Sequence, residues 1–246
     1  MNWNVESYQL VFFHQPSVVQ DAFQVWIQLF QLTPDNYQRH PDPNAKAAQA
    51  AGNFAGYLWQ VATSPGRIDI SIVGNASDVV EHMPGFPIIK NDGQALDLLI
   101  TKSRVLQAEL LGVVRLALVT QFSHNVSDLA GANEMLSKLV PVSNFPQGAL
   151  DIIFSLNVRK HLNDPVVHLN RLCRWQAIEK QIFQLQMGVP QMMQPAVSQP
   201  AVILNVDINT VQQQSAIKAQ DVDRVIRNLV DETLAIRARG YDGLTS

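Results

Sequence analysis

Cysteine occurs once in the 246 residues, at Cys173. That excludes an intramolecular disulfide and any zinc site built on several cysteines. Charge is scarce too: Asp, Glu, Lys and Arg make up 16% of the chain, and the net charge is −3. Such a balance leaves no electrostatic footprint for a duplex or an anionic membrane. The opening MNWNVESYQ lacks the basic and apolar regions of a secretory signal. The most apolar stretch, around Leu110 to Phe122, is interrupted by Arg115 and Gln121 and is too short to span a bilayer. We therefore expect a soluble cytoplasmic protein with neither nucleic acid nor membrane as partner.

Hydrophobic residues, by contrast, reach 47%, enough for a substantial core. Much of the polar surface falls to Gln and Asn, as in Gln20, Gln24, Gln28 and Gln31. Few charges then discourage association, and the expected partner is another protein or a second copy of this chain.

Periodicity supplies the elements. Tyr8 to Phe13 reads as a strand, and Pro16-Ser17 as the start of a helix capped by Ser17, with Val19, Phe23, Trp26 and Phe30 as its stripe. Residues 34–55 read as a long loop, with room for one helical turn at Ala45 to Ala51. Ile68, Ile70 and Ile72 alternate with Asp69 and Ser71, and Ser64-Pro65-Gly66-Arg67 joins this strand to Tyr57–Ala62 in a hairpin. Leu96, Leu99, Ser103, Leu106 and Leu110 recur at helical spacing, and Gly112 ends the run. In the second half, Leu116, Leu118, Thr120 and Phe122 share one strand face, and a helix starts at Ser127-Asp128. Ile152 to Val158 alternates strongly. Residues 172–187 fit either period, and we read them as a strand in a hairpin with 201–211. Val222, Val225, Ile226, Leu229, Thr233 and Ile236 make the stripe of a last helix, stopped by Gly240.

The expected fold is α+β, with largely antiparallel sheets and packed helices. Each half runs strand, helix, strands in hairpin order, helix, which suggests two related half-domains, 1–112 and 113–246. The run RLALVTQFSHNV, then AVILNVDINTV followed by VDRVIRNLVDETLAIRARGYDGL, resembles the layout of a sporadically distributed family of uncharacterised bacterial proteins of about this length. The resemblance covers roughly Arg115 to Gly240. It implies an architecture and carries no activity.

Asn205, Asp207 and Asn209 alternate with Val206 and Ile208, a spacing that resembles the oxygen ligands of a calcium loop. An EF-hand loop needs Gly at its sixth position and Glu at its twelfth, but these hold Thr210 and Ala216. The stretch instead reads as the solvated face of a strand, and no metal or other cofactor is expected. Ser215-Ala216-Ile217-Lys218 matches Ser-x-x-Lys, yet neither Ser-Asp-Asn nor Lys-Thr-Gly follows. The six histidines show no paired ligand spacing, and Ser123-His124 would point to opposite faces of a strand.

Arg159, Lys160, His161, His168, Arg171, Arg174 and Lys180 form the one basic concentration. If 150–159 pairs with 172–187, Arg159 and Arg171 or Arg174 could meet at one end of the sheet and hold a phosphate or an acidic segment. Charges that guard a sheet edge against aggregation are the plainer reading. The expected function is a non-enzymatic interaction or assembly protein, self-associating, of bacterial or phage type. Its rival is an enzyme or ligand-binding protein with a pocket between the halves, lined by His124, Arg159 and Arg174. No catalytic residue is assigned; Arg159, Arg171, Arg174 and His124 are the candidate contacts for a ligand or partner.

Overall fold

The fold is α+β. The computed structural model describes residues 2–15, 20–74, 86–109, 112–142, 145–146, 148–183, 195–212 and 215–245. Its strands are β1 (Asn4–His14), β2 (Asn36–Arg39), β3 (Ala48–Phe54), β4 (Tyr57–Ser64), β5 (Arg67–Val73), β6 (Val113–Asn125), β7 (Ile153–Asn163), β8 (Val166–Phe183) and β9 (Pro195–Thr210). Its α-helices are α1 (Ala22–Phe30), α2 (Asp92–Glu109), α3 (Leu129–Leu139), α4 (Ala219–Arg239) and α5 (Tyr241–Thr245). All nine strands form one antiparallel sheet in the order β2-β3-β4-β5-β1-β6-β9-β8-β7. In each half the first strand lies at the centre, the second at the outer edge, and the later strands return inward one by one, so β1 and β6 meet at the middle.

Alternation decides which side of the sheet holds the core. Tyr8, Leu10 and Phe12 on β1, Ile68, Ile70 and Ile72 on β5, and Leu116, Leu118 and Phe122 on β6 share one face and are buried. Val202, Leu204, Val206 and Ile208 on β9 continue it, and Leu169, Cys173 and Trp175 extend it onto β8. The helices supply the opposing layer: Trp26, Leu29, Leu99, Leu106, Leu136, Val225 and Leu229 join the same buried cluster. Both halves share this core.

Helix ends follow capping chemistry. Asp21 caps α1 by accepting from the Phe23 N–H at 2.9 Å. The Ser17 cap expected from sequence lies outside the described residues. Burial pushes the Asp21 carboxyl up, but hydrogen bonds from Tyr37, the Phe23 N–H and Arg39 outweigh it and hold the group below the usual range. Asp128 caps α3 on the Gly131 N–H at 2.7 Å. α2 and α4 are tied by Arg104 Nε donating to Asp223 at 2.8 Å and by Arg237 paired with Asp92, which also accepts from the Tyr8 hydroxyl at 3.3 Å.

One sequence expectation fails here. Residues 34–55 are not a long loop but β2, a 3-10 turn at Pro43–Ala45 and β3. Ala48-Gln49-Ala50-Ala51-Gly52 is poor strand material by composition. Seven residue pairs with β4 impose the conformation. Gly52 is required because a Cβ there would sit 2.9 Å from the Trp26 ring. Context overrides propensity.

Leu229 is buried in the α4 stripe, whereas Arg227 is exposed and pairs with Asp223 one turn away. Leu229→Ala should cost about 2–5 kcal/mol, and Arg227→Ala no more than about 0.5 kcal/mol. Urea denaturation of the two variants checks this; equal midpoints would mean that α4 is not docked through this stripe.

Candidate interaction face

Opposite the helices lies a face that no described helix or strand covers. Its rows run across all nine strands. One row reads Asn36, Ala51, Gln60, Ser71, Gln9, Val119, Asp207, Leu172, Asn157. The next holds Asn53, Leu58, Val73, Ser7, Gln121, Asn205, Arg174 and Ser155. Amides and hydroxyls predominate, with few charges. Part of the chain's Gln and Asn content is placed here, while Gln24 and Gln28 ride on α1.

β9 belongs to this pattern. Asn205, Asp207 and Asn209 do point away from the core, but they are less wet than the sequence suggests: Asn209 is buried. Asn170 donates to the Asn209 carbonyl oxygen at 3.1 Å, and the Asn209 amide donates to Asp207 at 2.8 Å, so the side chains lie along one another. Among the described residues no group of three or more His, Cys, Asp or Glu is gathered for a metal.

The four residues singled out from sequence do not form one site. Arg159 and Arg174 project from the uncovered face of β7 and β8, opposite Asn170 and Ser155 respectively. Both are exposed and make no ion pair among the described residues. Arg171 lies opposite Val158, so it faces the helices. There it is buried and donates to Glu232 of α4 at 2.9 Å, while Lys160 of β7 holds the other Glu232 oxygen at 2.8 Å. That arginine joins sheet to helix and cannot meet Arg159. His124 is on the helix side as well, its Nδ1 bonded to the Asn2 carbonyl at 2.9 Å and its ring edge-on to Trp3. It anchors the N-terminal segment.

Two features of the uncovered face were not visible in the sequence. A bulge in β1, where Val5 and Ser7 oppose consecutive residues of β6, turns Glu6 onto this side. Lys180 of β8 meets Glu6 at 2.8 Å, Gln121 donates to its other oxygen, and the Phe86 ring lies 4.4 Å from the ammonium. Ser123 is 3.4 Å from the same nitrogen. A serine beside a lysine suggests a nucleophile and its base. Here the lysine nitrogen is engaged by the Glu6 carboxylate and the Phe86 ring, and Ser123 is fully buried where no substrate reaches it. The cluster fastens strands together.

Farther along, Arg115 and Arg67 flank the Phe13 ring at 4.9 Å and 5.3 Å. Arg67 is paired with Asp69 at 2.9 Å. Arg115 makes no hydrogen bond or ion pair among the described residues, and its Nε is buried without an acceptor. Elsewhere, Ser215 and Lys218 line a cleft of about 460 Å³ beside the β7–β8 turn and do not bond each other. Burial pushes the Cys173 thiol up to about 12, so it supplies no thiolate at neutral pH.

Compared with family models, curated proteins and solved structures, the chain finds no match. Its chemistry rests on this geometry alone.

The Glu6–Lys180 side chains are 14% and 8% exposed. Lys180→Met should therefore cost about 3–5 kcal/mol, because the carboxylate is left buried without its cation. Glu6→Gln with Lys180→Met should cost clearly less than the two single losses added. A double-mutant cycle by urea denaturation at pH 7 reads this, and strict additivity would show that the pair is not coupled.

Proposed function

We propose that this is a non-enzymatic, cytoplasmic interaction protein that assembles with copies of itself and uses its uncovered sheet face to hold an acidic segment of a protein partner. The observation that carries the reading is the charge on that face. Among the described residues, Arg115, Arg159 and Arg174 bring three guanidiniums without ionic partners to that face, against a single acidic residue, Asp207, that has no cation. The chain as a whole is at −3, so positive charge is concentrated on this side. Guanidinium groups bind carboxylates in a planar, two-pronged geometry, and the surrounding amides can bond a peptide backbone. Three such groups in an acidic chain are too few to draw in a phosphate backbone without sequence contacts. No described helix is long and apolar enough to cross a membrane, which is compatible with the cytoplasmic part of the reading.

The rival reading, an enzyme or ligand-binding protein with a pocket between the halves, has less support. At the sheet the halves meet as paired strands, β1 against β6, leaving no cleft there. His124 lies on the helix side near Asn2, far in the strand order from Arg159 on the β7 edge.

A fluorescent glutamate-rich peptide tests the proposal by anisotropy. It should bind in a salt-sensitive manner, and Arg159→Glu with Arg174→Glu should weaken it by about tenfold or more. Binding that ignores the charge reversal would overturn the reading. Equal competition by a short DNA duplex would move the partner to a different class.

A further inference from the structure

We infer that two copies of this chain join edge to edge through β7, continuing the sheet from one copy into the next about a two-fold axis. This rests on the self-assembly part of the proposed function and names the surface that performs it.

The two edges of the sheet are unlike. β2 is four residues long and is held at its flank by Arg39, which bonds Tyr37 and Asp21. β7 runs eleven residues, pairs with β8 through every one of them without a register shift, and has no strand on its other side among the described residues. A strand of that length presents a row of unpaired N–H and C=O groups. Of the devices that usually guard such an edge, only the charge of Arg159 is left free among the described residues. β7 contains no proline and no bulge, Lys160 is turned inward onto Glu232, and the His161 ring stacks on His168 at 4.6 Å.

The core is also unfinished at this edge. On the interior strands the apolar residues that face the helices are buried almost completely, but Phe154, Leu156, Val158 and Leu162 of β7 stay partly exposed although they pack on the same cluster. Exposed apolar surface collects nearby. Of seven exposed large hydrophobics among the described residues, four are Leu150, Ile153, Val166 and Leu172, on β7, just before it, or on its partner β8. Their exposures are 68%, 51%, 73% and 38%.

A second copy suits this edge by charge. Antiparallel pairing about Val158, the midpoint of the strand, sets Asn157 opposite Arg159 of the other copy, Ser155 opposite His161 and Leu156 opposite Lys160. No like charges face one another directly, which is the condition an isologous strand contact must meet. It also joins the two uncovered faces into one.

Asn157 is exposed, so substitutions there leave the fold in place and act on the opposing Arg159. The experiment is sedimentation equilibrium on the full chain, with thermal denaturation to confirm folding. The wild type should give twice the 27.4 kDa chain mass at micromolar concentration. Asn157→Lys should weaken the dimer about fivefold or more, since the contact occurs twice, and Asn157→Glu should strengthen it. A wild type that is monomeric throughout would overturn both this inference and the self-assembly reading. A dimer that neither substitution changes would leave self-assembly standing and overturn the β7 edge as its surface.

Discussion

β1 and β6 lie side by side over ten residue pairs at the middle of the sheet, one strand from each half of the chain. Apart, each half would be a small sheet with an open edge where Tyr8, Phe12, Leu116 and Phe122 now sit buried. Together they give one face wide enough to be covered by α1 to α4 as a single layer. The pairing brings together residues about a hundred positions apart, so its loop entropy is offset only once the non-local core forms. The Arg237–Asp92 and Arg104–Asp223 bridges cross the same boundary in the helix layer. They are partly exposed and add modestly; burial of the shared stripe dominates.

A two-layer arrangement has a further consequence: every packed helix among the described residues lies on one side, so no described helix or strand covers the opposite face or the two outer edges, although Ser123, Lys180 and Ile203 on that face are buried, Lys180 beneath Phe86. The chain manages its two edges differently, with a short, ion-paired β2 and a long, regular β7. It fills the open face with amides and hydroxyls in place of charges, so that neighbouring side chains bond each other, as Asn170, Asn209 and Asp207 do. The three arginines without ionic partners stand out against that background.

Much of this architecture was legible because the relevant residues alternate or recur locally. Ile68, Ile70 and Ile72 gave β5, the α4 stripe gave its buried side, and Cys173, Trp175 and Ala177 show why 172–187 had to resolve as strand through residue 183: all three are buried on one face. β3 was hidden because alanine and glycine carry no strand signal and only β4 holds them extended. The site was less legible still. Parity alone separates Arg171 from Arg174, three residues apart on one strand, yet which of them faces the helices depends on the register with β7 and β9. The Glu6–Lys180 pair spans 174 positions and needs a bulge that no composition announces.

Association through an edge strand changes backbone amides that no described strand of the monomer pairs with. Hydrogen exchange followed by mass spectrometry, run from nanomolar to high micromolar protein, therefore tests the account most directly. Peptides covering residues 153–163 should gain protection as concentration rises, while those covering residues 36–39 at the other edge exchange at an unchanged rate. Exchange in 153–163 that does not depend on concentration, or protection that arises at β2 instead, would contradict it.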